Sequence, residues 1–522
     1  MKLTDQVRIY RNKKIFLYSM IIGLITHMYR LTNWMINEDE THYLNTISAS
    51  WVTSVGRYLL PVVEKIRGCY ELPWLLGFIS VVFLSFAAVF IAETFDIRGS
   101  VGLLLTAWIV VANPIVTATF SYMYTADGYF FGYAIIALGI MLATKYKGAK
   151  GAILGGLCIY VCMGFYQGFL TAAVILILLI LIRDFLNEKI TVKDTLKNAV
   201  RYLIAGGIGI VMYLITVKLV WKYGGYGTTS YMGVGEANTD SGWLIKAFVD
   251  CYIDFARVFL VRWQITSYNV MNVLMFIACG IFIVCILTKK RLWKQPVRWL
   301  LVGLVLAMLP VASHLFEFIS EELSYSTTIM DYGTLLVCML PVVLAQHLSV
   351  QEGDFKNWLD KAYIKRNIMY VAAMMLMLCI CFNFTVIANK AYYNMDNANK
   401  KVEMLLNRIV MRMEEMPGYH DDMEIMIVGS CYQIPEYVTS APMMSGVVSN
   451  IFLTSEDQYV HVMNKMLSTS YGIASQSTEK AIAQLDEFKA MPTWPDKDCM
   501  RIIDDVMVVI LSYNDIDLLY ED

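Results

Sequence analysis

Apolar runs of roughly 15–22 residues, the length that crosses a hydrocarbon core, recur along this chain, and they exclude most soluble folds. They lie near 15–35, 72–93, 100–117, 129–144, 151–166, 168–183, 201–220, 270–288, 298–313, 333–347 and 368–388, which makes about eleven spans of the ~20 residues a bilayer needs. Only 16% of the residues are charged, against about a quarter in ordinary soluble domains. The chain therefore reads as an α-helical polytopic membrane protein. A formal net charge of -2 gives no electrostatic case for nucleic acid as a partner. No small-residue cleavage site follows the first run, so it reads as a retained span and not a removed signal.

Orientation follows from the basic residues in the connections. Alternate connections collect Arg98; Lys145, Lys147 and Lys150; Arg183, Lys189, Lys193, Lys197 and Arg201; Lys289, Lys290, Arg291, Lys294 and Arg298; and Lys356, Lys361, Lys365 and Arg366. The connections at 118–128 and 314–331 have no Lys or Arg. By the positive-inside bias the N-terminus is cytoplasmic, and 36–71, 221–269 and everything after about 389 face outward from the plasma membrane. Most cysteines (Cys158, Cys162, Cys279, Cys285, Cys338, Cys379, Cys381) sit in apolar runs, where a thiol acts as a small hydrophobe. No zinc spacing occurs; Cys431 and Cys499 lie in the C-terminal region, and whether they pair is open. Gly151/Gly155 and Gly164/Gly168 have the small-residue spacing of close helix packing.

The outward segment 36–71 is too long for a turn, and Trp51, Val55, Tyr58 to Leu60, Val62 and Val63 suggest short interfacial helices within it. The 221–269 connection opens on a Gly/Tyr-rich stretch, Lys222 to Gly227, and closes on an amphipathic segment from Phe248 to Trp263. Residues 389–522 change character: an amphipathic helix at about 391–415, a strand at 423–429, helical stretches near 456–467 and 478–488, and a buried-strand pattern at 505–511. That alternation reads as a small extracytoplasmic α/β domain, which divides the chain into a transmembrane domain, 1–388, and an α/β domain, 389–522.

Chemistry gathers on the outward side. Glu38, Asp39 and Glu40 follow the first span without a gap, with His42 beside them. A solvated loop start is the ordinary explanation for paired carboxylates. Two features tell against it here: packed acids raise at least one pKa unless a cation compensates, and Arg57 follows in a segment where basic residues are scarce. A carboxylate is a natural base for a sugar hydroxyl, and an arginine a natural fork for phosphate. Asp127 is the only charge in its connection; it either caps a span or lines a wet cavity. Tyr124, Tyr166 and Gln167 offer hydrogen bonds to a sugar. His314, Glu317, Glu321, Glu322 and Asp331 decorate another connection, for which a solvated loop is the plain expectation and metal or donor contact the alternative. His27 and Arg30 are expected to snorkel towards the outer interface.

With those residues placed, the sequence resembles the GtrII-type glucosyltransferases, polytopic enzymes of the broad GT-C class. The resemblance rests on Asn37 to Glu40 with Tyr43, Ala49-Ser50-Trp51, Gly56 to Pro61, Lys65 to Gly68, Tyr122 to Asp127 and Gly164 to Gln167, and is densest over 30–190. The family's loop usually shows two adjacent aspartates; here the first is Glu38, which leaves Asp39 as the better candidate for the catalytic position. The resemblance implies a GT-C-like fold and transfer of glucose or a related hexose from a polyprenyl-phosphate donor to a cell-surface polysaccharide. A flippase and a donor-synthesising membrane enzyme would be its bacterial-envelope partners. It further implies catalysis by Asp39 with Glu38, donor-phosphate binding by Arg57 with Arg67 as helper, and sugar or acceptor contacts from Asp127, Tyr124, Tyr166, Gln167, Glu40 and His42. Asp39 and Asp127 could hold a divalent cation such as magnesium or manganese, although many GT-C relatives use no metal. Two other classes stay open: a transporter of lipid-linked sugars, and a non-catalytic envelope-assembly protein.

Overall fold

A computed structural model describes residues 3–41, 49–68, 70–227, 241–261, 269–319, 328–348, 357–358, 360–431 and 444–513. The chain splits into two compact units: 1–32, 47–389 and 442–445 form the first, and 33–46, 390–441 and 446–522 the second.

The first unit contains α1 (Leu3–Thr32), α2 (Ala49–Ser54), α3 (Leu60–Ile66), α4 (Pro73–Phe95), α5 (Ser100–Ala112), α6 (Pro114–Ser121), α7 (Met123–Lys145) and α8 (Gly148–Phe165). It continues through α9 (Phe169–Phe185), α10 (Val192–Gly224), α11 (Ser241–Leu260), α12 (Asn269–Lys289), α13 (Pro296–Ser313), α14 (Leu340–Ala345), α15 (Lys361–Arg366) and the start of α16 (Ile368–Glu414). Prolines open α4, α6 and α13, where a fixed φ and a missing N–H suit the first helical turn. Asn113 parts α5 from α6: its side chain accepts from the Ile115 and Val116 amides, capping the second helix.

Nine helices among the described residues are long and apolar enough to cross a membrane. The protein is thus a helical polytopic membrane protein with a small C-terminal sheet region. Leu203 on α10 is 76% exposed, and Ile204, Val211, Leu214 and Ile215 are exposed beside it, a face suited to acyl chains. The two remaining expected spans differ in kind. The one at 168–183 is α9, only 17 residues long. The one at 333–347 is broken into a 3-10 turn (Thr334–Met339), α14 and a last 3-10 turn (Gln346–Leu348). Leu335 to Leu344 are almost wholly buried, so this segment is enclosed by protein and not presented to lipid.

Other expectations shift. The opening of the 221–269 connection is helical as far as Gly224, ending at Gly225 in the left-handed region (φ +68°). Its closing segment is α11; Trp263 lies outside the described residues. His27 and Arg30 do not snorkel. Both are fully buried: His27 Nε2 donates to the Val111 carbonyl at 2.7 Å, and Arg30 Nε donates to the Phe120 carbonyl at 3.0 Å. Arg30 also meets Glu71 Oε1 at 3.5 Å, so its charge is answered inside the protein. Of the glycines, Gly155 lies against Ala143 of α7, and the neighbouring Gly156 brings α8 onto α10, where an added Cβ would sit 2.9 Å from the Ala205 carbonyl.

In the second unit the expected amphipathic helix is no separate element: α16 runs unbroken from Ile368 to Glu414. The sheet holds β1 (Glu424–Val428), β2 (Gly472–Ile473), β3 (Met500–Ile503) and β4 (Val506–Ile510) in the order β2-β1-β4-β3. β1 runs parallel to β2 and β4, and β3 antiparallel to β4. Helices α17 (Glu456–Met466), α18 (Gln476–Ala483) and α19 (Asp486–Lys489) complete the unit. Ile425, Ile427, Met507 and Val509 bury one face against Leu405, Leu406 and Ile409 of α16 and Tyr459 and Met463 of α17. Met426, Val428, Val508 and Ile510 bury the other against Ile482, Ala483 and Phe488. Cover on both faces explains why these strands read as unbroken apolar runs. Cys431 and Cys499 are both free thiols.

β2 stops at Ile473 and leaves the Ile427 amide of β1 without a strand partner; Glu456 Oε1 accepts from it at 2.7 Å. Burial first, then the Glu479 carboxyl beside it, push Glu456 from an ordinary 4.5 up to about 9. The folded unit therefore keeps a proton that the unfolded chain releases over this window, and this group's contribution to stability falls as pH rises from 4.5 towards 9. Calorimetry of the full chain in detergent should show the second unit's transition falling with pH over that range, and Glu456→Gln should flatten the slope; parallel slopes would contradict this.

Candidate active site

The connection 49–68 is pinned to the ends of the helices that follow it. Leu59 donates its amide to the Gly164 carbonyl at 3.0 Å, and an added Cβ on Gly164 would stand 2.9 Å from both Leu59 and Tyr58. Gly56 has φ +84°, which L side chains rarely adopt, and a Cβ there would collide with the Tyr213 hydroxyl and crowd Gln167. Gln167 Nε2 donates to the Val55 carbonyl at 2.9 Å and to Tyr213 Oη at 2.6 Å. Its amide thus holds the turn that presents Arg57.

The Arg57 guanidinium lies 4.8 Å from the Tyr166 ring centroid, and its Nη1 donates to Tyr129 Oη at 2.8 Å. Tyr129 and Tyr166 stack with centroids 4.4 Å apart. Guanidinium over aromatic faces is favourable and fixes the plane of the fork. Tyr129 and Tyr213 are the residues that sequence reasoning missed. Tyr129 stands two places after Asp127 on α7, a spacing too common among interfacial tyrosines to single it out.

Arg67 follows α3 and reaches α7. Its Nη2 donates to the Tyr124 carbonyl, and its Nη1 stands 3.5 Å from Asp127 Oδ1. The two side chains are only 10% and 8% exposed. Arg67 Nε and Nη1 are buried and make no hydrogen bond among the described residues. A buried guanidinium with open donors, beside a single carboxylate at 3.5 Å, retains capacity for an anion.

The acidic stretch belongs to the second unit. Ile36 and Asn399 exchange two hydrogen bonds, each 3.0 Å, which fasten the segment to α16. Asn37 and Glu40 then cap each other's amides: Glu40 Oε2 accepts from Asn37 N at 2.8 Å and Asn37 Oδ1 from Glu40 N at 3.0 Å, in the manner of a capping box. Glu40 is buried in this turn while Glu38 and Asp39 are exposed. His42 lies outside the described residues, as do Glu321 and Glu322.

The structure thus brings together Arg67, Asp127 and Tyr124, and separately Arg57 and Tyr166 with Gln167 behind their turn. Glu38, Asp39 and Glu40 share one turn of the other unit. His314, Glu317 and Asp331 are not solvated, as a loop reading would have them; all three are buried. No group of three or more His, Cys, Asp or Glu among the described residues is arranged to hold a metal ion, and the partner of Asp127 is a guanidinium. This donor set does not fit a divalent cation.

The sequence model of the family described as glucosyl transferase GtrII matches residues 28–338, more than half of the chain. No curated protein and no solved structure matches.

Removing one member of a buried ion pair leaves the other charge uncompensated, at about 3–5 kcal/mol. Arg67→Met should therefore destabilise the first unit strongly, and adding Asp127→Asn should restore much of the loss. Thermal unfolding in detergent reads this cycle; simple additivity would show that the two side chains are uncoupled.

Proposed function

Given that the chain belongs to the GtrII glucosyltransferase family, we propose that it moves a glucosyl or related hexosyl unit from a polyprenyl-phosphate donor to a cell-surface polysaccharide on the outer face of the plasma membrane. The observation that carries this reading is the buried Arg67 guanidinium, whose Nε and Nη1 are open beside Asp127, with Arg57 held on its tyrosines in the same unit. A guanidinium fork suits a phosphate leaving group, and a donor with an isoprenoid tail has to be met at a bilayer boundary.

In this mechanism Asp39 accepts the proton of the acceptor hydroxyl as its oxygen bonds to the anomeric carbon. The bond from that carbon to the phosphate oxygen breaks, and the electron pair departs with the polyprenyl phosphate. Arg57 and Arg67 balance the charge developing on the phosphate, an interaction strongest in the transition state. Glu38 flanks Asp39, and Asp127, Tyr124, Tyr166 and His42 shape the sugar and acceptor sites, while Glu40 holds the turn that carries Asp39 and Gln167 the turn that carries Arg57. The exposure of Glu38 and Asp39 supports the roles given them, since an acceptor polysaccharide arrives from solvent. No step runs through a metal. A flippase and a donor-synthesising enzyme would supply the lipid-linked sugar.

Loss of a positioned base costs about 10²–10⁴ in rate. Asp39→Asn, assayed for glucose transfer from polyprenyl-phosphate glucose in membranes, should fall by that order; normal transfer would exclude the role of base. Arg57→Ala and Arg67→Ala should each raise the apparent KM for the donor more than that for the acceptor. An unchanged donor KM in both would remove the phosphate assignment.

A further inference from the structure

A second polar cluster lies in the first unit. His314 ends α13, Glu317 stands in the 3-10 turn Leu315–Phe318, Asp331 follows the turn Thr328–Met330, and α11 contributes Cys251 and Asp254. His314, Glu317, Asp331 and Asp254 are 1%, 6%, 6% and 3% exposed. His314 Nδ1 donates to Asp331 Oδ2 at 3.0 Å, which fixes the imidazole. Asp254 Oδ1 is held by Arg257 Nη1 at 2.8 Å, and the Cys251 thiol donates to the His314 carbonyl at 3.3 Å.

Among the described residues, two polar atoms in this cluster, His314 Nε2 and Glu317 Oε1, make no hydrogen bond. Buried polar groups are almost always satisfied by protein, water or a ligand, so this open donor and acceptor are available to a bound molecule. The charges around it narrow the chemistry. Glu317 faces Asp254, Asp331 and Asp250 as well as His314, a setting that repels an anion. A metal ion needs donors that converge in threes, and no such group exists among the described residues. Burial is the largest influence and works against the charged imidazole, but Asp331, Asp254 and Glu317 together outweigh it and raise His314, which favours an N–H at Nε2. Burial with the surrounding carboxylates lifts Glu317 to about 8, so its carboxyl is largely neutral near pH 7. An ammonium cannot accept from an imidazolium N–H. A hydroxyl can accept from that N–H and donate to a carboxyl oxygen at once.

The cluster also adjoins the arginine site through the chain. Met330, next to Asp331, accepts at its Sδ from Tyr166 Oη at 3.0 Å, and Tyr166 is the ring beneath Arg57. Gly333 donates its amide to Thr171 Oγ1 at 3.0 Å, which ties the same turn to the start of α9.

We propose that His314 and Glu317 form a carbohydrate subsite in which one sugar hydroxyl accepts from His314 Nε2 and donates to Glu317 Oε1, with Asp331 positioning the imidazole. Assigning this sugar to the acceptor rests on the transferase reading; the subsite itself does not. The test is ligand-observed NMR of the full chain in detergent with methyl α-D-glucopyranoside as probe. Wild type should bind, His314→Phe and Glu317→Leu should weaken binding at least tenfold, and Glu317→Gln, which keeps a donor and an acceptor, should stay within about threefold. Asp331→Asn should weaken binding while leaving the thermal midpoint close to that of Glu317→Gln.

Equal binding by all variants, or no binding by wild type, would overturn the subsite. So would magnesium binding that depends on Glu317. Transfer from polyprenyl-phosphate glucose, measured in parallel, separates the two readings: transfer by wild type with unaltered acceptor KM in His314→Phe sinks the subsite's role as acceptor site and leaves the transferase standing.

Discussion

A carboxylate set into an apolar helix is costly unless a charge partner, a helix end or water answers it, and the Arg67–Asp127 pair meets that condition at the start of α7. The pair draws the polar connection 49–68 onto α7, while the Leu59 amide anchors the same connection to the end of α8. With its ends fixed, the turn at Gly56 has one direction left for Arg57, over Tyr166 and Tyr129. The two guanidinium groups therefore sit in a framework of backbone and aromatic contacts instead of on mobile side chains. Such preorganisation is what stabilising a leaving phosphate requires.

The large features were legible because hydrophobicity encodes them directly. Runs of the length of α4, α7, α8, α10, α12, α13 and α16 have few soluble alternatives. Composition could not separate a span that meets lipid from one enclosed by protein. Segment 333–347 is as apolar as its neighbours, yet it is short, broken and buried, because apolar neighbours can replace acyl chains around it. The same blindness hid Arg30. Snorkelling is the usual resort of a lone arginine, but carbonyls freed where α6 ends, together with Glu71, satisfied it internally. In the second unit β1 and β4 stood out as apolar runs. β2 is too short to announce itself, and β3 is a four-residue edge strand, interrupted by Arg501 and buried only at its two ends.

The site was readable in part, for a physical reason. Charges scarce enough to count, such as Asp127 and Arg67, are conspicuous in an apolar chain, and these two do meet. Geometry among tyrosines is not encoded in spacing, so Tyr129 and Tyr213 passed unnoticed. The acidic stretch divides by burial: Glu40 is consumed as a reciprocal cap with Asn37, whereas Glu38 and Asp39 remain at the surface of their turn. The connection carrying His314 and Asp331 reads as a solvated loop, yet α11 packs against its start and His314, Glu317 and Asp331 are buried.

On the function proposed, this membrane protein adds a hexose to a glycan outside the cell. Mass spectrometry of surface glycans from cells with and without the protein tests it most directly. The glycan repeat should carry one more hexosyl unit when the protein is present. Identical glycans in both, with the polyprenyl-phosphate hexose donor demonstrably available, would contradict it.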